Sequence, residues 1–150
     1  MIALVPARAV HVGPIAARMR AADMTECAAM GHAPRQALRA GLRGSSICLT
    51  ALVDGRAEAM IGLVVTNALY GEGSPWMLGT DAIYRHPRAL LRGGPPLLAA
   101  MLDSTARLEN LVSADNDRAI RFLRWLGFTI CQEVRMIAGT PFHSFMLERD

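Results

Sequence analysis

The alternation of apolar and polar positions predicts strands and helices that follow one another along the whole chain. Apolar residues recur every three or four positions in the helical segments, and they run on or alternate in the strand segments. In chain order we predict a strand (2–5), two helices (12–30 and 34–44), three strands (46–53, 57–66 and 76–83), a helix (97–102), a strand (108–113), a helix (117–126) and two strands (129–137 and 142–147). The Asp54-Gly55 pair predicts a hairpin turn, and residues 71–75 are predicted as a loop.

This order predicts a mixed, mostly antiparallel α/β sheet of about seven strands with helices on both faces. Antiparallel hairpins come first, and a strand–helix–strand crossover lies in the middle. The 150 residues have the length of one ordinary domain, without a repeat or a long linker. We therefore expect a single domain over 1–150, long enough to bury a sizeable core.

The helix predicted at 97–102 has two possible starting points, because Pro95 and Pro96 precede it. One alternative is that it begins near Pro87 and is broken at Gly93-Gly94. The other is that a loop runs to Pro95, which is then the first residue of the helix.

Composition narrows the class of protein. A hydrophobic fraction of 52 % and a charged fraction of 19 % exclude wholesale disorder, and no apolar run is long enough to span a bilayer. Residues 1–14 show neither a basic flank before an apolar run nor a small-residue cleavage site, so we expect no signal peptide. The three cysteines are far apart and form no CxxC pair, so we expect reduced thiols, no metal site and a cytoplasmic location.

The charge pattern gives little support for a nucleic-acid partner. The formal net charge is +3, and every basic residue is an arginine, spread along the chain rather than blocked. We therefore expect neither nucleic acid nor a membrane as partner. The absence of lysine excludes self-acetylation of an internal lysine.

The segment from Asn116 to Phe128 carries the most informative pattern. Asp115 or Asn116 can cap the helix, and Gly127 supplies the left-handed residue that ends it. The Asn, the Ala three residues later and the final Leu-Gly-Phe resemble the signature of the GNAT superfamily of acetyl-CoA-dependent N-acetyltransferases. The order of elements is similar to that fold over nearly the whole chain.

The resemblance implies a GNAT-like fold with acetyl-CoA as co-substrate. It places Asn116 where the fourth and fifth strands splay apart and the pantetheine arm enters; a plain helix cap is the alternative. It also implies that backbone N–H groups near Thr80 and Ala82 contact the thioester.

Several short segments resemble more closely a GNAT-like family of tailed phages and prophages, which includes internal virion and assembly proteins. These segments are 19–26, 76–80, 107–110 and 141–145. Membership of that family does not establish catalysis. It therefore implies an alternative function, a catalytically silent protein of virion assembly or host interaction, located in the host cytoplasm or the virion.

The sequence departs from the GNAT pattern where active members bind the pyrophosphate. Their loop reads Gln/Arg-x-x-Gly-x-Gly/Ala, and its glycines let backbone N–H groups approach the phosphates at a helix N-terminus. No frame between residues 84 and 96 satisfies that pattern. Arg85, Arg88 and Arg92 can clamp phosphate in its place, or they form a solvated helix face.

The proton-transfer residues are a second point of departure. Many GNAT enzymes place a tyrosine acid four residues before the Gly-Phe pair, and here that position is Leu123. For the general base the resemblance favours Asp81 on the predicted fourth strand. Glu26, three residues from Asp23 on one helix face, and His143 on the closing hairpin are the other candidates. The alternative for Asp23 and Glu26 is an exposed acidic pair without a catalytic role, and the alternative for His143 is a structural histidine.

Two functional hypotheses follow. The first is acetyl transfer from acetyl-CoA to a primary amine, on a small molecule or a protein, by direct attack. The second is the non-catalytic phage protein, with a virion or host protein as partner. The apolar loop at Leu69-Tyr70 is a candidate contact in a homodimer.

Overall fold

Eight strands form one sheet in the computed structural model, which describes residues 1–150. The strands are β1 (Ile2–Pro6), β2 (Ile47–Val53), β3 (Arg56–Asn67), β4 (Glu72–Gly79), β5 (Arg107–Ser113), β6 (Thr129–Ile130), β7 (Arg135–Ile137) and β8 (Thr140–Glu148). Their order is β1-β2-β3-β4-β5-β8-β6, and β7 also pairs with β8. Only β4 and β5 are parallel, so the predicted mixed and mostly antiparallel sheet is confirmed.

Five helices cover the two faces of the sheet. They are α1 (Val12–Ala17), α2 (Ala21–Ala29), α3 (Pro34–Gly44), α4 (Pro87–Ser104) and α5 (Asp117–Leu126). The first three pack on one face, where Ile15, Leu38 and Met60 are fully buried. Helices α4 and α5 cover the other face, where Leu63, Met101 and Ile120 lie in the core. No helix combines the length and apolar character needed to cross a membrane.

Strands β4 and β5 pair over only two positions before they separate. Glu72 lies opposite Arg107 and Gly73 lies opposite Leu108, and no other residues of the two strands are paired. Pro75 accounts for the separation, because its carbonyl points to β5 and accepts the side-chain N–H of Asn110 at 2.8 Å. Its nitrogen, on the same edge of the strand, has no hydrogen to donate there.

The predicted loop at 71–75 is therefore wrong, since β4 already begins at Glu72 and includes Pro75. The proline is tolerated in a central strand because its missing N–H faces the gap and not the ladder with β3. The strand also ends sooner than predicted, at Gly79. Asp81–Arg85 is a turn of 3-10 helix, so Asp81 does not lie on the fourth strand.

The helix predicted over 12–30 is two helices. The helical conformation is interrupted at Arg18–Arg20, where Met19 forms an isolated β-bridge with Thr80. The N–H of Arg20 donates to the carbonyl of Gly79 at 2.9 Å. This tertiary hydrogen bond at the free edge of β4 outweighs the local helical pattern.

Helix α4 begins at Pro87, in agreement with the first alternative, but it is not broken at Gly93-Gly94. It runs through Pro95 and Pro96 as one helix of 18 residues. The prolines remove the donors to the carbonyls of Leu91 and Arg92, and both of these residues are exposed, so water can satisfy them. Gly94 lets the helix approach α5, since a Cβ there would lie 3.0 Å from the Leu126 side chain.

The C-terminal part of the chain confirms one expectation and corrects another. Helix α5 ends at Gly127, which has a φ of 106°, and the Phe128 N–H donates to the carbonyl of Leu123. The strand predicted over 129–137 is interrupted: β6 and β7 pair separately with β8, and Ala138 and Gly139 form the turn with positive φ.

Candidate functional site

A cluster of polar side chains fills the end of the gap between β4 and β5. Arg20 and Asp23 come from the start of α2, Glu26 from its next turn, and Asn116 from the residue before α5. Arg20, Asp23 and Asn116 are buried and Glu26 is partly buried, although four polar residues rarely lie together in a core. Each is held by hydrogen bonds, which makes the cluster a specific arrangement.

Glu26 joins α2 to β5 and leaves one oxygen free. Its Oε2 accepts the backbone N–H of Ser113 at 2.7 Å and the side-chain N–H of Asn116 at 3.4 Å. Its Oε1 makes no hydrogen bond and no cationic group lies within 4.0 Å of the carboxylate, although the Ser113 hydroxyl and the more distant Arg20 guanidinium also favour its charged form. Burial raises the pKa of Glu26, and the hydrogen bonds from Ser113 and Asn116 offset only part of that effect.

Asp23 joins α2 to β4. Its Oδ2 accepts the backbone N–H of Gly79 at 3.0 Å, and its Oδ1 accepts Arg20 Nη1 at 3.0 Å. Burial raises the pKa of Asp23 to about 6, although the Gly79 N–H and the Arg20 guanidinium both favour the charged form. A carboxyl with such a pKa changes its charge close to neutral pH.

Arg20 connects the cluster to the turn after β4. Its Nη2 donates to Asn116 Oδ1 at 3.2 Å, and its guanidinium lies 4.4 Å from the centre of the Tyr84 ring. Its Nε lies 3.9 Å from the exposed carboxylate of Asp81. Burial raises the pKa of Tyr84 to about 12, so this phenol stays protonated at neutral pH.

A cavity of about 1000 Å³ passes through the sheet at this cluster. Of its 39 lining residues, 29 are apolar. We call the part on the face of α2 and α3 the α3-side lobe; its walls include Cys27, Met30, Ala37, Gly41, Trp76 and Leu78. The part on the other face is the α4-side lobe, with walls that include Met77, Leu90, Leu97, Met101, Phe122 and Leu123.

Asp23, Glu26 and Asn116 also line the cavity, and their hydrogen bonds place them between the ends of β4 and β5. Two ligands, one in each lobe, can therefore contact each other beside the carboxylates, because the sheet is open there. This is the geometry that direct transfer between two bound molecules requires.

The structure brings together only some of the residues singled out in the sequence. Glu26 and Asn116 are in contact, and Asp81 lies at the rim of the cluster beside Arg20. His143 lies elsewhere on β8, does not line the cavity, and its Nδ1 is 3.1 Å from the carbonyl oxygen of Glu133. Asn116 takes part in the cluster through both ends of its side-chain amide, beyond its place as the residue before α5.

Thr80 is buried and has no free donor. Its N–H donates to the carbonyl of Glu58 at 2.8 Å, and its hydroxyl donates to the Glu58 carboxylate. Glu58 is also paired with Arg18 at 2.8 Å. Burial by itself would raise the pKa of Glu58, but the bonds from Thr80 and Arg18 outweigh it and the pKa is lowered.

The N-terminus of α4 offers few backbone donors. Pro87 has no N–H, and the N–H groups of Ala89 and Leu90 both donate to the carbonyl of His86. In the first turn of α4, the N–H of Arg88 is therefore the one backbone donor without a partner. Ala82 lies in the preceding turn and is half-buried. The arginine side chains at 85, 88 and 92 are exposed around this end of the helix, and Arg92 also lines the cavity.

Sequence reasoning missed Arg20, Tyr84 and Trp76. Arg20 was placed inside a continuous helix, where its contacts with β4 and Asn116 have no local signal. Tyr84 carries no motif of its own, and the resemblance of segment 76–80 gives Trp76 no functional role, so only the fold brings these two side chains to the cavity. The structure contains no group of three or more His, Cys, Asp or Glu placed to hold a metal ion. Of the three cysteines, Cys27 is buried and Cys131 is exposed, and none forms a disulfide.

Comparison with known proteins identifies the fold. No protein-family model matches the sequence, and no curated protein matches it significantly. Solved structures do match, 243 chains in all. One is an acetyltransferase of the GNAT family from Streptococcus pneumoniae, with 11 % identity, 100 % of both chains covered and a TM-score of 0.65.

Two further matches have named activities. A ribosomal-protein-S5-alanine acetyltransferase from Vibrio fischeri has 11 % identity, with 99 % of this chain and 93 % of that chain covered and a TM-score of 0.66. An aminoglycoside acetyltransferase in complex with coenzyme A has 15 % identity, with 99 % and 95 % covered and a TM-score of 0.69. The chain therefore has the fold of the GNAT acetyltransferases, and at these identities the likeness concerns the fold alone.

Proposed function

We propose that this chain, which has the GNAT fold, transfers an acetyl group from acetyl-CoA to a primary amine by direct attack in a ternary complex. The observation that carries the proposal is the cavity through the sheet, which is lined by Glu26 between the ends of β4 and β5. A named structural neighbour binds coenzyme A, which supports the same class of donor.

The residues present fit the donor in two parts. The α4-side lobe is apolar and opens along the unpaired edge of β4, which suits a pantetheine arm. Because the N–H groups of alternate residues in a strand point to the same edge, the N–H of Met77 faces this gap, as does the N–H of Gly79, which donates to Asp23. For the diphosphate the chain offers the guanidinium groups of Arg88 and Arg92 in place of a glycine loop.

The donor supplies an activated acyl thioester, and the chain's own residues handle the amine. Glu26 accepts a proton from the ammonium at Oε1 and passes it to solvent through the cavity. Ser113 and Asn116 hold the carboxylate in place through Oε2. Met77 N–H stabilises the charge that develops on the acyl oxygen. In total a C–N bond replaces the C–S bond, and the ammonium loses two protons, one to the thiolate and one to solvent.

The test is thiol release by the purified protein with acetyl-CoA and a broad panel of primary amines. The variant is Glu26→Gln, with Asp103→Asn as matched control, because Asp103 is an exposed carboxylate on α4 without a side-chain partner. We expect kcat to fall about 10²- to 10⁴-fold in the first variant, the usual contribution of a general base, and to stay unchanged in the second. Equal activity of Glu26→Gln and the wild type would overturn the assignment of the base.

A second candidate is a non-catalytic protein with the same fold. Two observations favour it: Asp23 occupies the Gly79 N–H, and the N-terminus of α4 presents one free backbone donor. A phage virion component or a host protein as its partner rests on the sequence resemblance alone. No thiol release with any amine, together with recovery of the protein from purified virions or in a host pull-down, would favour this candidate.

A further inference from the structure

The α3-side lobe has a charged inner end and apolar walls. We propose that it binds a primary amine carried on an unbranched alkyl body, with the ammonium at Glu26 and the body between α2 and α3. This inference rests on the proposed function, because it names the acceptor of the same site.

The buried charges at the inner end of the lobe leave one carboxylate, Glu26, without an ion-pair partner. Arg20 is paired with Asp23 at 3.0 Å, so these two charges balance each other. Glu26 is the third charge of the buried group; Arg20 acts on it only from beyond ion-pair distance, and no other arginine forms an ion pair with it. A charged carboxylate in a partly buried place is stabilised by a cation of its own, and an ammonium supplies one.

The walls favour an apolar body over a polar one. Cys27, Met30 and Ala37 lie on the helical side, and Trp76 and Leu78 on the side of the sheet. Beyond the two carboxylates, the titratable side chains of this lobe are His32 and the Cys27 thiol, and burial raises the pKa of that thiol to about 11, so it stays neutral. A polyamine or an aminoglycoside would place its further ammonium or hydroxyl groups against carbon, where each lacks a partner.

Trp76 forms a wall of this lobe, and its position is fixed by two glycines. A Cβ at Gly41 on α3 would lie 2.7 Å from the Cη2 atom of its ring, and one at Gly62 would lie 2.6 Å from its Nε1. The same Nε1 donates to the hydroxyl of Ser45 at 2.8 Å. Replacement of Gly41 by alanine must therefore displace the ring and change the shape of the lobe.

Gly44 offers a matched control on the same helix. It lies three residues further along α3, and a Cβ there meets no atom within 4 Å. Gly44→Ala therefore makes the same chemical change without touching Trp76.

The experiment measures binding of amines to the free protein by calorimetry, with no acyl donor present. The probes are butylamine, pentylamine and hexylamine, with spermidine, hexanol and hexanoate for comparison. We expect the affinity to rise about fourfold with each methylene, since burial of one methylene contributes about 0.8 kcal/mol. Hexanol and hexanoate should bind at least tenfold more weakly than hexylamine.

The variants test the two ends of the lobe separately. Glu26→Gln should weaken hexylamine at least tenfold, and Gly41→Ala should weaken it while Gly44→Ala leaves it unchanged. The inference is overturned if affinity does not depend on chain length, or if spermidine binds more tightly than hexylamine. The chain-length series uses only the wild-type protein, so it decides the matter even if a variant does not fold.

The outcome is distinguishable from failure of the proposed function. Binding of hexylamine without thiol release upon addition of acetyl-CoA would leave the amine site standing and remove the transferase activity. Thiol release with other amines, but no binding of alkylamines, would leave the transferase and remove this choice of acceptor.

Discussion

Glu26 on α2 accepts the backbone N–H of Ser113 on β5 at 2.7 Å, across 87 positions of sequence. This bond holds a carboxylate in the gap between β4 and β5, where Glu26 lines the cavity. Asp23 makes the corresponding bond to Gly79 on the other side of the gap. One turn of helix thus contacts both separated strands through its side chains.

The first prediction concerns the pH dependence of stability. The pKa of Asp23 is about 6 in the folded protein, mainly through burial, against an ordinary value of 3.8. Its contribution to stability is therefore fully present below pH 3.8 and is lost as the pH rises through 6. Asp23→Asn removes this titration, so the free energy of unfolding of the wild type should fall relative to the variant by about 2 kcal/mol between pH 4 and pH 7.

Urea unfolding of both proteins at several pH values measures this difference. Since Asn can still accept the Gly79 N–H, the variant is expected to fold. A difference between the two proteins that stays constant from pH 4 to pH 7 would show that Asp23 titrates in the ordinary range.

The second prediction concerns Pro75 in β4. Its missing N–H faces the gap, so Pro75→Ala restores no bond of the β3–β4 ladder. The substitution should then only increase the freedom of the unfolded chain and lower the free energy of unfolding by about 0.4–1 kcal/mol. Stabilisation in thermal and urea unfolding would mean that the proline interrupts a strand pairing that alanine completes.

The third prediction concerns the phosphate contacts. If the proposed function holds, Arg88→Ala and Arg92→Ala should each weaken acetyl-CoA binding about tenfold, since each would remove a charge-assisted bond to the diphosphate. S-acetylpantetheine, which lacks the diphosphate, should bind all variants alike. Arg39→Ala, an exposed arginine on α3, is the control. Equal loss for both ligands would indicate damage to the helix instead of a lost phosphate contact.

The succession of elements along the chain and helix α5 could be predicted from the sequence because their signals are local. The apolar pattern predicts β1, β2, β3 and β5 to within one residue of their observed bounds. Asp54 and Gly55 have the positive φ that a tight hairpin turn requires, and Gly127 ends α5 as expected. The start of β4 and the break at Arg18–Arg20 could not be predicted. Both depend on which edge of a strand faces the gap, and local propensity carries no information about that.

The candidate site was predictable only in part. Glu26 and Asn116 were singled out, and the structure places them in contact. Arg20 and Tyr84 were missed because their interaction depends on the turn after β4, whose first three residues were predicted as strand. His143 was singled out for its chemistry, but its position on β8 is set by strand register and lies away from the cavity.

The most direct test of the central claim is calorimetric titration of the free protein with acetyl-CoA, with desulfo-CoA as a control for reaction at the exposed Cys131 thiol. If the gap between β4 and β5 and its arginines bind the donor, the dissociation constant should be about 1–100 µM, in the range that enzymes have for their substrates. Desulfo-CoA should bind comparably. Absence of binding at millimolar concentrations of both ligands would contradict the proposed function and leave the fold as a scaffold.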